Sequence, residues 1–175
     1  MSRVQFPPGF RLERLEKGHD RKKFTCGQPL VDDWLTTKAL QNQAKHLSVT
    51  KVLLDEDSNV AGFYSLALGQ VHFGDLPNEI VRKLPRRMLP VAILAWLGVT
   101  TVNQGMGLGD RLFANALCDC YEAGQTFAFI AIVVDCIDEN SKKFYQRFDF
   151  HELPGCPLRL FLSFAQLERI ITSEN

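Results

Sequence analysis

An excess of charge of either sign is missing from this sequence. Its 175 residues hold 20 Lys and Arg against 20 Asp and Glu, so the formal net charge is zero. Because sequence-independent affinity for nucleic acid comes from surplus Lys and Arg, this balance excludes a general polyanion binder, although a local basic face stays open. Hydrophobic residues make up 46% of the chain and charged residues 23%, a composition that excludes general disorder.

Paired cysteines, histidine clusters and long apolar runs are also missing. The five cysteines include no Cys-x-x-Cys pair, and the four histidines lack the spacing of metal ligands, so we predict free thiols and no metal. No apolar run approaches the roughly 20 residues that cross a membrane, and residues 1–9 contain no apolar signal core. We therefore expect a cytoplasmic protein that has no contact with a membrane.

The pattern of apolar residues predicts strands that first form a meander and then alternate with helices. Predicted strands cover 49–54, 60–71, 91–99 and 127–134, and predicted helices cover 29–46, 78–84 and 138–148, with a further amphipathic helix that ends at Gly124. The strand over 91–99 is nearly all apolar, as expected of a central strand that is buried on both faces. This order favours an α/β fold with one mixed sheet, in a single domain over residues 1–175.

The segment Gln104-Gly105-Met106-Gly107-Leu108-Gly109 lies between a predicted buried strand and the amphipathic helix. Glycine lets a ligand approach the backbone closely, and the free N–H groups at the start of a helix bind anions, so we expect a phosphate group here. The Walker loop does not fit, because Gly109 is not followed by Lys and Ser or Thr, and the dinucleotide-binding pattern would need glycine at position 110. For the loop alone, a helix-initiating turn without a ligand is the alternative.

The pattern Gln104-x-x-Gly107-x-Gly109 resembles the pyrophosphate loop of the GCN5-related N-acetyltransferase (GNAT) family. Leu97-Gly98-Val99 is similar to the family's strand segment that pairs with pantetheine. The stretch 138–150 resembles the later helix, which carries a tyrosine and closes on an x-x-Gly-Phe signature. Asp149 replaces the glycine of that signature, and because Asp tolerates the left-handed conformation better than most residues, we expect the turn to survive.

Motifs in the first half of the chain resemble a narrower group of that family, the acetyltransferase toxins that pair with ribbon-helix-helix antitoxins. These motifs are Phe24-x-Cys26-Gly27-x-Pro29-Leu30, Trp34-Leu35, Gln41-Asn42-Gln43, Val60-Ala61-Gly62-Phe63-Tyr64-Ser65-Leu66, Leu84-Pro85-Arg86 and Pro90-Val91. The resemblance implies one acetyltransferase domain, with a mixed and mostly antiparallel sheet that is splayed at its centre and flanked by helices. It places the acetyl-CoA-binding core at about residues 90–150.

The resemblance also implies acetyl-CoA as the acetyl donor and assigns residues to its site. Tyr145 would be the general acid that protonates the leaving thiolate, a task that suits a phenol. A core aromatic beside Phe144 and Phe148 is the alternative for Tyr145. The residues expected to bind acetyl-CoA are Leu97, Gly98, Val99, Gln104, Gly105, Met106, Gly107, Leu108, Gly109, Asp110, Asp138, Ser141 and Phe144.

A general base is missing from the strand that precedes the glycine loop. Between Met88 and Asn103 the sequence has no acidic residue and no histidine. A lysine side chain, with a pKa of about 10.4, needs such a base at neutral pH, whereas an α-amino group titrates at about 7.7–8.0 and lower still beside an ester. The missing base favours an α-amine acceptor, and the resemblance to the toxins implies aminoacyl-tRNA.

Basic residues are clustered along the chain although the net charge is zero. The residues expected to contact the tRNA or its aminoacyl end are Arg82, Lys83, Arg86, Arg87, Trp96 and Lys142. For the basic residues, solvated surface charge is the alternative interpretation. Trp96 stands where the toxins usually carry Arg, and it either packs in the core or lines the acceptor pocket.

Three functions stay open at this point. The first is acetylation of an aminoacyl-tRNA by a toxin-like enzyme that forms a homodimer and binds a ribbon-helix-helix antitoxin. The second is N-acetylation of a small amine or of a protein N-terminus. The third is a non-catalytic module that binds acyl-CoA or an antitoxin, against which the presence of both the glycine pattern and Tyr145 argues.

Overall fold

A computed structural model describes residues 4–173 of the chain, so the ends of the domain predicted over 1–175 lie outside the described residues. The strands are β1 (Arg11–Arg14), β2 (Val49–Leu54), β3 (Val60–His72), β4 (Met88–Val99), β5 (Ala131–Asp135), β6 (His151–Leu153) and β7 (Cys156–Ser163). The helices are α1 (Pro29–Thr37), α2 (Ala39–Ala44), α3 (Asn78–Val81), α4 (Leu108–Gly124), α5 (Glu139–Gln146) and α6 (Phe164–Ser173). Single 3₁₀ turns lie at Phe73–Asp75 and Thr101–Asn103.

The seven strands form one sheet in the order β1-β2-β3-β4-β5-β7-β6. Pairing is antiparallel between β1 and β2, β2 and β3, β5 and β7, and β6 and β7, whereas β4 and β5 are parallel. This confirms the predicted α/β fold with a mixed, mostly antiparallel sheet. Within the sheet the chain divides into two compact units, whose described parts are 4–67 with 95–118 and 68–94 with 119–173. We call them the loop unit and the tyrosine unit.

The core of the loop unit is built around α1, which packs its apolar face against β2 and β3. Pro29 stands in the first turn of α1, where its fixed φ favours helix, and Val31, Trp34 and Leu35 follow at helical spacing and are buried. The single helix predicted over 29–46 is wrong, because Lys38 (φ −115°) interrupts it. The Thr36 and Thr37 hydroxyls donate to carbonyl groups one turn back, a contact that bends helices.

The core of the tyrosine unit lies where β4, β5 and β7 meet. Val91–Leu94 pair with Ala131–Val134, and the alternate residues Val91, Ala131 and Val133 join one buried apolar cluster. The strand predicted over 127–134 begins later than expected, at Ala131. The Phe127 N–H donates to the Ala123 carbonyl in a turn that prolongs the end of α4, and the Phe127 side chain is exposed.

Aspartate residues shape two of the turns, and the turn that was predicted at Asp149 is confirmed. In the turn between β2 and β3, the Asp55 carboxylate accepts the N–H groups of Asp57 and Asn59 at 3.0 and 2.8 Å. Asp149 has φ +65°, the left-handed conformation that its replacement of glycine requires. The turn after α5 is therefore formed with Asp in place of Gly.

The second half of β4 continues beyond its ladder with β5. That ladder covers Val91–Leu94, and β4 runs on to Val99. Residues 95–99 are each partly exposed, whereas Val91, Ala92 and Leu94 are buried. The splay of the sheet and a contact between this segment and a ligand stay predictions.

Candidate active site

The glycine loop connects the 3₁₀ turn Thr101–Asn103 to the start of α4. Gly105 and Gly107 have φ +84° and +74°, a region in which glycine is favoured. A Cβ added at either glycine would meet no atom within 4 Å, so the space beside this backbone is open. The first helical backbone hydrogen bond of α4 runs from the Arg111 N–H to the Gly107 carbonyl (3.2 Å), so the amides of Leu108 and Gly109 lie in the first turn, before it. Open space beside the two glycines and a helix N-terminus together fit a pyrophosphate group.

The side chain of Gln104 holds the start of the glycine loop. Its Nε2 donates to the carbonyl oxygens of Cys26 (2.9 Å) and Val99 (3.0 Å). A carboxamide nitrogen carries two hydrogens, so both donors are used, and the remaining oxygen does not attract an anion. Gln104, predicted to help bind the pyrophosphate, therefore does so indirectly in this arrangement, by fixing the loop whose amides face the open space.

The strand segment before the loop is close-packed on one side. A Cβ added at Gly98 would lie 3.0 Å from Val31, 3.2 Å from Phe63 and 3.3 Å from Phe24. The Thr100 N–H donates to the Ala61 carbonyl at 2.9 Å, which fixes the end of the strand. Glycine at position 98 thus lets α1 and its neighbours approach β4. Contact of the neighbouring residues 97 and 99 with pantetheine stays a prediction.

Tyr145 is carried by α5, which is short but capped. The Asp138 carboxylate accepts the Ser141 N–H at 2.8 Å, and the Ser141 hydroxyl accepts the Asp138 N–H at 3.1 Å, which completes a capping box. Tyr145 is buried, and burial, with a smaller effect of Cys136, raises the pKa of its phenol well above the ordinary value. The phenol therefore keeps its proton at any physiological pH and is suited to act as an acid.

Three residues of this segment that were expected to bind acetyl-CoA make other contacts. The side chains of Asp138 and Ser141 form the capping box, so they shape the start of α5. The Phe144 ring lies edge-on to Tyr145, with centroids 5.1 Å apart, and the Arg147 guanidinium stands 5.1 Å from its centroid. These contacts leave their role toward acetyl-CoA a prediction.

The expected tRNA contacts fall into two groups. Arg82, Lys83, Arg86 and Arg87, which we call the basic cluster, are exposed, and none of the four forms an ion pair with any described residue. Lys142, in contrast, is buried and its Nζ pairs with the Glu152 carboxylate, which raises the pKa of the Lys142 ammonium. The pair ties α5 to β6, so a contact between Lys142 and a phosphate would require it to open.

Trp96 packs against other aromatic side chains of the loop unit. Its ring is stacked on Trp34, with centroids 5.2 Å apart and an interplanar angle of 19°. Trp34 is in turn stacked near Phe63 at 6.2 Å. Of the two interpretations of Trp96, the structure supports core packing, while its partly exposed side leaves contact with an acceptor a prediction.

The sequence did not single out two charged residues that the structure connects to the site residues. Glu152 pairs with Lys142, and the Asp32 carboxylate accepts the Cys26 N–H at 2.9 Å. Glu152 carried no signal, because its partner is ten positions away in another element. Asp32 carried a weak one, since a carboxylate in the first turn of a helix often accepts a nearby N–H.

Cys136 is not a thiolate base, and the described residues offer no metal site. Burial, before all other causes, raises the pKa of the Cys136 thiol to about 11, so that thiol stays protonated at neutral pH. Among residues 4–173, no three His, Cys, Asp or Glu residues are grouped so that they could hold a metal ion. In the same range, no helix has the length and apolar character to cross a membrane.

Comparison with known proteins gives relatives along almost the whole chain, although no protein-family model matches it. A tRNA-acetylating toxin of Mycobacterium tuberculosis is 34% identical over 158 residues, which cover 90% of this chain and 94% of the toxin. A protein named probable toxin TacT, from Sinorhizobium fredii, is 27% identical over 162 residues, 87% of this chain and 90% of that protein.

Solved structures with the same fold include two toxins. A tyrosine-to-phenylalanine mutant of KacT superimposes with a TM-score of 0.87 at 21% identity, covering 93% of this chain and 99% of that one. AtaT, complexed with acetyl-methionyl-tRNAfMet, superimposes with a TM-score of 0.85 at 23% identity and the same coverage. These likenesses establish the GNAT fold that the motifs implied. With the 34% identity across nine-tenths of its length, they lead to one conclusion: the chain belongs to the family of tRNA-acetylating toxins.

Proposed function

We propose that this protein transfers the acetyl group of acetyl-CoA to the α-amino group of an aminoacyl-tRNA. The observation that carries the proposal is the 34% identity to a tRNA-acetylating toxin over 90% of the chain. The site supports it in chemical terms. The open glycine loop fits a pyrophosphate, and the buried phenol of Tyr145 fits an acid for a leaving thiolate.

The residues of this chain divide the work between binding and proton transfer. Bound acetyl-CoA supplies an acetyl thioester, which the amine attacks so that a C–N bond forms and the C–S bond breaks. The amides of Gly105, Gly107 and Leu108 would hold the pyrophosphate, helped by the positive end of the α4 dipole. The α-ammonium first loses a proton to solvent, and after the neutral amine has attacked, its nitrogen loses a second proton to solvent. Tyr145 would give its phenolic proton to the departing sulfur and regain a proton from solvent.

The amine of the acceptor has to lose its proton without a carboxylate or histidine on β4 to act as general base. Residues 88–103 contain none, and the Cys136 thiol is protonated. An α-amino group next to an ester has a pKa below the about 7.7–8.0 of an ordinary α-amine, so a large fraction is already neutral at pH 7.5. The chemistry of the site therefore suits an aminoacyl ester better than a lysine side chain.

The pH dependence of transfer is expected to show one limb. The rate should rise with pH while the α-ammonium of the acceptor loses its proton, and should then stay level to at least pH 9. An ordinary phenol titrates at about 10, and the raised pKa of Tyr145 keeps its acid form present at higher pH still. The measurement is kcat/KM from pH 5.5 to 9 with a stable aminoacyl-tRNA analogue linked through an amide. A fall in rate between pH 8 and 9 would contradict this role of the phenol.

The basic cluster is the proposed contact with tRNA phosphates. Replacing all four residues with glutamine should weaken tRNA binding and make it less dependent on salt. The slope of the logarithm of the binding constant against the logarithm of salt concentration should become shallower by roughly 0.7–0.9 for each phosphate that is no longer neutralised. Acetyl-CoA affinity should not change. Lys38→Gln with Lys45→Gln is the control, since both lysines are exposed but were not assigned to the tRNA. An unchanged slope in the fourfold variant would show that the cluster is solvated surface charge.

The acceptor is tested by offering labelled acetyl-CoA with charged total tRNA and, separately, with a panel of small amines and peptides. We expect the label in aminoacyl-tRNA, from which mild alkaline hydrolysis releases an N-acetyl amino acid. Label only in small amines or in peptide N-termini would replace the proposed acceptor with that second candidate. Binding of acetyl-CoA without transfer to any acceptor would instead support the non-catalytic module.

Partners and location complete the proposal. AtaT has been solved bound to the C-terminus of the antitoxin AtaR, and KacT in the KacTA–DNA complex. By analogy, a ribbon-helix-helix antitoxin is the proposed protein partner of this chain, and a homodimer the proposed assembly. The cytoplasm is the proposed location, because charged tRNA and acetyl-CoA are both found there.

A further inference from the structure

We propose that Asp32 is a positioning residue for the glycine loop, and that it acts through the peptide groups on both sides of Cys26. The inference rests on the proposed function, because the loop it positions is the proposed acetyl-CoA site. Asp32 lies two positions after the motif that runs from Phe24 to Leu30, a motif to which the function described so far gives no role. Its evidence is a chain of hydrogen bonds within the loop unit.

The segment 25–26 is bound to both ends of the turn that leads into the glycine loop. The Thr101 N–H donates to the Thr25 carbonyl at 2.9 Å. Gln104 Nε2 donates to the Cys26 carbonyl, also at 2.9 Å. The two carbonyl groups therefore accept hydrogen bonds from the first residue of the 3₁₀ turn and from the first residue of the glycine loop. A rotation of either peptide group would release one of these bonds.

The Asp32 carboxylate fixes the first of the two peptide groups. The Cys26 N–H, which donates to Asp32 Oδ1 at 2.9 Å, belongs to the same planar group as the Thr25 carbonyl. A bond from an amide to a carboxylate is stronger than one between neutral groups, and it polarises the carbonyl opposite. Asp32 thus holds the Thr25 carbonyl toward Thr101. Because the next peptide group begins at Cys26, this also restricts the direction of the Cys26 carbonyl.

Asp32 is held by a packed helix, and the neighbouring Cys26 thiol adds no negative charge beside its carboxylate. Asp32 lies in the first turn of α1, next to Val31, which is 2% exposed and packed in the core. Burial raises the pKa of the Cys26 thiol to about 11, and its hydrogen bond to Asp32 adds to that shift. The thiol is therefore neutral, and the carboxylate is the only negative charge in this set of contacts.

The consequence should be confined to binding. If the Asp32 carboxylate is removed, the Cys26 carbonyl loses its fixed direction, and Gln104 loses one of its two acceptors. The amides of Gly105 and Gly107 then no longer point steadily into the same open space, so affinity for acetyl-CoA should fall. Tyr145 belongs to the other unit and contributes to neither bond, so turnover at saturating acetyl-CoA should change little.

The first experiment compares acetyl-CoA binding by calorimetry and steady-state kinetics for three variants. Asp32→Ala should raise both the Kd and the KM for acetyl-CoA about tenfold, and kcat should change less than about twofold. Asp32→Asn keeps an oxygen acceptor for the Cys26 N–H and should stay within about threefold of the parent protein. Asp33→Ala removes the adjacent exposed carboxylate, whose side chain makes none of these contacts, and should have no effect.

The second experiment tests the path through Gln104. In a double-mutant cycle, Gln104→Ala combined with Asp32→Ala should raise the Kd no more than Gln104→Ala alone, within about twofold. If the effects of the two substitutions multiply instead, Asp32 does not act through Gln104, and the proposal is wrong. Should Asp32→Ala fail to fold, Asp32→Glu takes its place, because it keeps the charge but displaces the carboxylate by one methylene and should weaken binding several-fold.

The outcomes separate this inference from the proposed function. If acetyl-CoA binds and is transferred to aminoacyl-tRNA, but Asp32→Ala binds it as well as the parent protein, the positioning role alone is overturned. If acetyl-CoA binds, Asp32→Ala weakens it and no acceptor is acetylated, the positioning role holds and the proposed function falls. If the parent protein does not bind acetyl-CoA, both are overturned.

Discussion

Replacing Tyr145 with phenylalanine is expected to abolish most acetyl transfer while acetyl-CoA binds nearly as before. The substitution removes one hydroxyl group and keeps the buried ring, which lies between Phe144 and Phe150 with centroid distances of 5.1 and 6.3 Å. A positioned general acid contributes about 10²–10⁴-fold to rate, so single-turnover transfer should slow by that factor. Calorimetry with acetyl-CoA should show a change of less than about threefold, because the phenol acts on the sulfur as it leaves.

Tyr121→Phe is the matched control for Tyr145→Phe. Tyr121 lies on α4, its ring is stacked on Phe164 at 6.0 Å, and loss of its hydroxyl should leave transfer unchanged. Thermal unfolding of both variants shows whether the folded state is kept. Unchanged transfer by Tyr145→Phe would remove the phenol from the mechanism, and Tyr145 would then be one of the core aromatics of α5, the alternative that the sequence left open.

The sequence predicted those structural features that are determined by a few neighbouring residues. The strand over 49–54 was predicted with its observed bounds, because its apolar residues are followed directly by the polar turn 55–59. The left-handed Asp149 followed from its own side chain. The break at Lys38 was missed because the periodicity of α1 continues across it, and Phe127 was placed in a strand because an exposed aromatic has the same pattern as a buried one.

Contacts between distant segments determine which groups the side chains of the site bind. These contacts could not be predicted from the sequence. The glycines of the loop could be recognised because their role belongs to the backbone. The pairing of Lys142 with Glu152, and of Gln104 with the Cys26 carbonyl 78 positions away, depends on how strands and helices are assembled. A motif therefore indicated the kind of ligand, while the structure indicated which side chains remain available to it.

Gly107→Asp is expected to block acetyl-CoA binding and, with it, all transfer. In the structure a Cβ at position 107 enters open space, so the protein itself would tolerate the added carboxylate sterically. That open space is where the pyrophosphate would lie, and the carboxylate would both occupy it and repel the phosphate charges. Two like charges about 4 Å apart near a surface repel by about 4 kcal/mol, which corresponds to a loss of roughly three orders of magnitude in affinity.

Gly155→Asp separates this effect from backbone strain. Gly155 has φ +75° against +74° for Gly107, and a Cβ there also meets no atom within 4 Å, but it lies in the turn between β6 and β7. Both variants carry the same cost of an Asp in the left-handed region, so they should unfold at similar temperatures. Only Gly107→Asp should lose acetyl-CoA in calorimetry. Equal affinity in the two variants would show that the glycine loop does not hold the pyrophosphate. The open space at Gly107 is the geometric basis for placing acetyl-CoA at the start of α4, so that placement would then have to be abandoned.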